Sequence, residues 1–207
     1  MSNAIISVID VGIGNIGSVL NMLKVLGAKG RLISTAEQLE SAGKIILPGV
    51  GSYDEGMRMI DASGIRDALD HKVKVEKTPI LGICLGMQLL CKGSEEGVLP
   101  GLSYVDSYCK HLARDATVSV SIPHMRWNEV NVAKRLGLFE GLEDYNKFYF
   151  THSYGMVCAN ESDILGRTGY GDGFVSAVCS DNIYGVQFHP EKSHKYGKTL
   201  FKNFLGL

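Results

Sequence analysis

Long apolar runs are missing from this 207-residue chain: nothing approaches the ~18 consecutive apolar residues of a membrane-spanning helix. The first residues lack the basic-then-apolar layout of a secretion signal, and the run Ile5 to Val11 is too short for either purpose and contains Asp10. An excess of charge is missing too. Lys plus Arg number 21 against 22 Asp plus Glu, a formal net charge of −1, so nothing electrostatic favours nucleic acid or a membrane surface as partner. Cysteine is sparse and odd in number, five residues with no C-x-x-C pair. That argues against a disulfide framework and a structural zinc site, and it fits a reducing cytoplasm. Repeats, low-complexity tracts and linkers are absent as well. What remains is 45% hydrophobic residues, enough for a full core in a chain read as a single domain, 1–207.

Ala4 to Ile9 is an apolar run broken only by Ser7, the mark of a strand covered on both faces. Ile16, Val19, Leu20, Leu23 and Leu26 then recur at helical spacing up to Gly27. Lys29 to Ser34 predicts a second strand, and Ser34-x-x-Glu37 a capping box opening another helix. Lys44 to Leu47 is a third apolar strand, closed by Pro48-Gly49-Val50-Gly51. Gly56 to Val75 is helical in pattern with a break near Ser63-Gly64, and Pro79 starts a strand leading to Cys84. This alternation predicts a mixed α/β fold with a mostly parallel, flavodoxin-like sheet flanked by helices. Ligands in such sheets gather at the carboxyl ends of the strands, where Gly51 and Cys84 both fall. In the second half, Ser103 to Ile122, Lys147 to Tyr154, Gly173 to Cys179 and Ile183 to Phe188 read as strands. Thr117-Val118-Ser119-Val120 alternates most clearly, and a helix from Lys195 to Leu205 ends the chain.

Two motifs carry candidate chemistry. Gly12, Gly14 and Gly17 satisfy the G-x-G-x-x-G dinucleotide fingerprint between a strand and a helix. That reading wants an acid at the end of the second strand, where this chain has Ile33-Ser34. Gly82-Ile83-Cys84-Leu85-Gly86-Met87-Gln88 places a cysteine at a strand-to-helix turn, the setting of an elbow nucleophile, with a helix expected over Leu85 to Cys91. The flanking glycines make a tight turn and an unusual backbone angle cheap, and helix-opening amides favour negative charge there. The same residues also suit a buried structural cysteine. A nucleophilic cysteine wants a base. Among six histidines, His189 ends the strand Tyr184–Phe188 and precedes Glu191 by two positions, so that carboxylate can orient its ring. His124 and His152 sit beside aromatics and suit core or pocket. No second ligand at helical spacing supports a metal.

With GICLGMQ, PGVG and QFHPE in this order, the chain resembles the class I (triad) glutamine amidotransferases. IDVGIGNIGSV, LPGVGSYDEGM, SEEG, PHMRWNEV, YFTHSYG and YGVQFHPEKS look like segments of glutaminase subunits of imidazole glycerol phosphate synthases, so the match covers most of the chain. The resemblance implies a Cys84, His189 and Glu191 triad that hydrolyses glutamine without a cofactor or metal. It implies an oxyanion hole from the backbone of Val50, Gly51 and Leu85, and a grip on the amino-acid end of glutamine by Gln88, Glu96, Ser153 and Tyr154. Asn15, His124, Arg126, Trp127 and Asn128 would face a cyclase/synthase subunit in a heterodimer, to which ammonia passes. The family pattern usually has glycine where this chain has Arg126, and the Lys192 to Gly197 ending also resembles paralogues serving a sugar-modifying synthase for surface polysaccharide. A non-catalytic scaffold and a cysteine protease are the readings from other classes.

Overall fold

The structure, a computed structural model, describes residues 5–207 apart from Asp115, Leu136 and Asp144. Strand β1 (Ile5–Ile9) is buried from Ile6 onward. Ile6 and Val8 join one apolar cluster and Ile9 the other, so the strand is apolar at every position but the buried Ser7 because both its faces are covered. Ala4, expected in the same strand, lies outside the described residues. Helix α1 (Ile16–Val25) ends in a turn where Gly27 has φ 76, and β2 (Lys29–Ile33) follows. Helix α2 (Ala36–Leu39) starts one residue later than the expected Ser34–Glu37 box allows. Thr35 is extended and takes the N-cap position, and the Ser34 N–H donates to Gln38 Oε1 at 2.8 Å.

β3 (Ile45–Gly49), α3 (Tyr53–Ala62), α4 (Arg66–Asp70), β4 (Ile80–Cys84) and α5 (Leu85–Leu89) complete the first half. The expected break falls at Ser63-Gly64, with Gly64 at φ 70, and α4 runs on into a π-helical turn at His71–Val75. α5 is shorter than the Leu85 to Cys91 expected. The second half is built from β5 (Gly93–Ser94), β6 (Ser107–His111), β7 (His124–Glu129), β8 (Asn131–Val132), β9 (Lys147–His152) and β10 (Tyr154–Cys158). β11 (Ile164–Thr168), β12 (Phe174–Ser180), β13 (Ile183–Val186) and α6 (His194–Gly206) close it.

The main sheet has the order β2-β1-β3-β4-β13-β12-β10-β6-β5, with β11 and β8 branching from β12. From β2 to β13 every pair is parallel; from β13 through β12 and β10 to β6 the pairs are antiparallel. The reversal comes from the two-residue turn Asp181-Asn182, with Asp181 at φ 57. The Asn182 amide pins that turn by donating to the carbonyls of Val73 and Thr78. β7 and β9 form a separate antiparallel pair.

The single strand expected over Lys147 to Tyr154 is divided at Ser153, because β9 pairs with β7 while β10 pairs with β6 and β12. Thr117 to Val120 is no strand. Thr117 through Ser119 are exposed, no neighbouring strand supplies a ladder among the described residues, and Thr117 is tied instead to Asp172. The dinucleotide expectation also loses its geometry. A Cβ on Gly14 would come within 2.9 Å of the Pro48 ring, and the Ile13 carbonyl accepts the Val50 N–H, so this glycine loop packs on the turn after β3.

Close packing is also what Gly86 provides. A Cβ there would collide with the Leu47 backbone carbonyl, since α5 lies against β3. Gly43, with open space around the same atom, is a matched control. Gly86→Ala is expected to cost about 1–3 kcal/mol and Gly43→Ala to stay within about 0.5 kcal/mol, as read from urea midpoints.

Candidate active site

β3, β4 and β13 lie side by side in one direction, so their carboxyl ends open on one edge of the sheet. Gly49 pairs with Cys84, and Val186 pairs with Ile83. Three segments far apart in sequence therefore deliver Gly51, Cys84 and His189 to one place. They line a cleft of about 240 Å³ together with Leu85, Gln88, Glu96, Ser153 and Tyr154.

Cys84 itself adopts the unusual backbone angle, φ 56 and ψ −112, at the junction of β4 and α5. The flanking glycines were expected to carry it. Gly82 and Gly86 instead allow α5 to press against the sheet, and the strain falls on the residue whose side chain must be aimed. The sulfur lies 3.9 Å from the Thr151 carbonyl and 3.8 Å from Gln187 Nε2.

His189 and Glu191 form the most buried ionisable pair at this edge. Their side chains are 2% and 1% exposed, with Nδ1 2.7 Å from Oε1. The pairing was expected from two positions on one strand. It arises instead across the 3-10 turn Pro190–Lys192, which His189 caps, and the Ser193 hydroxyl holds that turn by donating to the His189 carbonyl at 2.6 Å. With Nδ1 engaged, Nε2 is the ring atom left over, and it has no hydrogen-bond partner among the described residues. Burial works against a charged ring, but once the Cys84 sulfur has given up its proton, that sulfur and then the Glu191 carboxylate favour the cation and push the His189 pKa up to about 9.

Val50 fits its expected role less well. Its N–H donates to the Ile13 carbonyl and so is not free to serve an oxyanion in this conformation. Gly51 follows at φ 120 with open space over its Cα. Glu96 accepts the N–H of Tyr53 at 3.0 Å; burial raises its carboxyl above the usual range, that N–H opposes the rise, and the Asp54 charge adds to it. Gln88 Nε2 donates to the Tyr154 carbonyl and to Gln187 Oε1, each at 3.0 Å.

Of the residues expected on a partner-facing surface, Arg126 and Trp127 are exposed. Arg126 lies over the Tyr170 ring at 5.4 Å and Trp127 stacks on His194 at 5.3 Å. Asn128 is half-buried, and so is Asn15, which opens α1 without a side-chain cap. His124 does not belong to that surface. It stands opposite His152 in the β7–β9 ladder, is fully buried, and packs on Phe150, Tyr170 and Phe174. Its Nδ1 is 3.0 Å from His152 Nε2, and its Nε2 is 3.2 Å from the Asn128 amide. A carbonyl can only accept, so His152 Nδ1, 2.8 Å from the Tyr154 carbonyl, carries the proton, and the tautomers of both rings follow. Burial holds both rings neutral, pushing His124 down to about 4 and His152 to about 3.

Thr151, His152 and Pro123 line the cleft, and Gln187 touches the sulfur from beneath, without having been singled out as site residues. Position inside the YFTHSYG, PHMRWNEV and QFHPE segments was the signal they gave, together with the aromatic neighbours that made His152 a core or pocket candidate. Among the described residues no group of three or more His, Cys, Asp or Glu could hold a metal ion.

The raised His189 pKa has a thermodynamic consequence. The proton that Cys84 passes to His189 changes no net count, but the Glu191 carboxylate favours a proton on the folded ring, so its share of the stability is present below the unfolded value of 6.5 and is lost as pH rises above it. Urea melts across pH 6 to 9.5 are expected to show that decline, and Glu191→Gln, which removes the carboxylate that favours the cation, is expected to flatten it.

The family model for class-I glutamine amidotransferases matches residues 7–206. The chain is 47% identical over 202 residues to imidazole glycerol phosphate synthase subunit HisH 2 of Pseudomonas aeruginosa, covering 98% of this chain and 99% of that protein. It is 46% identical to the protein of the same name from Methanococcus maripaludis, with 97% and 98% covered. Among solved structures, PurLQS from Thermotoga maritima matches with a TM-score of 0.76 at 18% identity over 99% of both chains. A glutamine amidotransferase crystal structure matches with a TM-score of 0.71 at 22% identity over 98% of both. At such identities the structural likeness speaks to the fold, while the full-length sequence relatives speak to the family. The chain belongs to the class-I glutamine amidotransferases.

Proposed function

We propose that this chain is the glutaminase subunit of an imidazole glycerol phosphate synthase, hydrolysing glutamine and passing the ammonia to a cyclase subunit in a heterodimer. The observation that carries the reading is the buried His189–Glu191 pair, whose free Nε2 belongs to the cleft that also holds the strained Cys84. In this scheme His189 takes the thiol proton and the sulfur attacks the side-chain amide carbon of glutamine. The amides of Gly51 and Leu85 hold the oxyanion, and Val50 joins them only once its bond to Ile13 opens. The C–N bond breaks as the His189 cation protonates the leaving nitrogen, giving ammonia and a thioester on Cys84. Water, deprotonated by His189, then releases glutamate and restores the thiol. Glu191 keeps the ring oriented throughout.

The amino-acid end of glutamine is read by complementary charge and hydrogen bonding. Glu96 offers a carboxylate to the ammonium. Gln88, its amide nitrogen already committed to Tyr154 and Gln187, offers only Oε1, an acceptor. Backbone groups at Ser153 and Tyr154 complete the grip. Exposed Met125, Arg126 and Trp127, with half-buried Asn128 and Asn15, form the face offered to the cyclase. The five cysteines are all unpaired, which suits work in a reducing cytoplasm, and residues 1–207 act as one amidotransferase domain.

Cys84→Ala, assayed with its synthase partner, is expected to lower glutamate release by roughly a thousandfold or more. Turnover near the parental rate refutes the triad. Trp127→Ala is expected to weaken capture of the synthase by about 30-fold without lowering the melting temperature, as an exposed aromatic anchor should. Purification of the pair also decides the acceptor: a sugar-modifying synthase as the bound partner overturns the histidine-pathway assignment and leaves the glutaminase intact.

A further inference from the structure

Gln187 is fully buried directly beside the nucleophile, and the direction of its hydrogen bonds is fixed by a single backbone atom. The Tyr154 carbonyl can only accept, so the Gln88 atom that contacts it at 3.0 Å is the amide nitrogen. That same nitrogen is 3.0 Å from the Gln187 side chain, which must therefore present its oxygen there. The other end of the Gln187 amide is then the nitrogen, and it lies 3.8 Å from Cys84 Sγ. The backbone N–H of Gln187 is anchored independently on the Ser176 carbonyl at 2.9 Å.

We propose that Gln187 is a further catalytic residue, an N–H donor that stabilises negative charge on the Cys84 sulfur. A neutral thiol is a weak acceptor, so a buried amide aimed at one is poorly satisfied. The same amide becomes a strong, charge-assisted donor once the sulfur ionises. The interaction is thus stronger in the reacting state than in the resting one, which is the condition for catalysis rather than packing. When the thiol proton moves to His189 Nε2, the electron pair stays on sulfur and Gln187 keeps both of its own protons. Its oxygen meanwhile fixes the rotamer of Gln88, so one buried amide sets the nucleophile and the substrate grip in register.

The inference rests on the glutaminase reading, and the test separates the two. Parent and Gln187→Met, which keeps the length of the side chain without its donor, are compared with the synthase bound. The readouts are kcat and KM for glutamine, the rate of Cys84 alkylation by iodoacetamide located by mass spectrometry, and the melting temperature. The expected result is a loss of about ten- to hundredfold in both kcat and alkylation rate, with the smaller change in KM and a melting temperature within a few degrees of the parent. A well-folded variant that turns over and alkylates like the parent overturns the proposal. Should Gln187→Met fail to fold, Gln187→Asn draws the donor back by one methylene while keeping an amide, and the same two outcomes decide. A parent that releases no glutamate and whose Cys84 resists alkylation sinks the glutaminase reading itself, whatever the variants do.

Discussion

Parallel pairing of β4 with β13 is the constraint on which the site depends. Ile80 to Ile83 run in register with Ile183 to Val186, although about a hundred residues of chain separate them. Because the strands point the same way, whatever follows β4 and whatever follows β13 emerges on one edge. The sulfur at 84 and the imidazole at 189 meet for that reason. The intervening chain is accommodated as an antiparallel extension of the same sheet, and its return through the Asp181-Asn182 turn brings β13 in beside β4. Contacts of such sequence separation are entropically costly to form. The apolar layers on both faces of the parallel strands offset that cost by burying Ile45, Ile46, Leu47, Ile80, Leu81 and Ile83 almost completely.

Around the cleft, polar groups are held by one another. His124, His152, Tyr154, Gln88 and Gln187 form a line of hydrogen bonds from the Asn128 side chain to the sulfur, and each donor direction is dictated by the Tyr154 carbonyl at its centre. Two buried atoms of the proposed triad stand outside any such pairing, His189 Nε2 and Glu191 Oε2. Buried polar atoms without partners are costly. The imidazole nitrogen is the one that a proton shuttle needs to keep free for the substrate, so under the proposed mechanism the cost falls where chemistry uses it.

Much of the frame was legible in the residues because it is local. The apolar run ending at Ile9, broken only by Ser7, the helical spacing from Ile16 to Leu26 closed by Gly27, and the break at Ser63-Gly64 each report a structure set by neighbours in sequence. The failures share a cause. Thr117 to Val120 alternates like a strand, but alternation has no consequence without a neighbouring strand to pair with. The strand read over Lys147 to Tyr154 is divided at Ser153 because its two ends are claimed by different sheets.

The sequence by itself determined the order of apolar strands and helices, the elbow around Cys84, and the candidate residues for acyl transfer, since these depend on side-chain type and short spacing. Tertiary structure alone decided that His189 and Glu191 meet across a 3-10 turn, that His124 is interior rather than surface, and that the Val50 amide is occupied by Ile13. It also decided that Gln187 turns its nitrogen towards the sulfur. Burial and hydrogen-bond direction are properties of what surrounds a residue, and residues that surround one another here come from opposite ends of the chain.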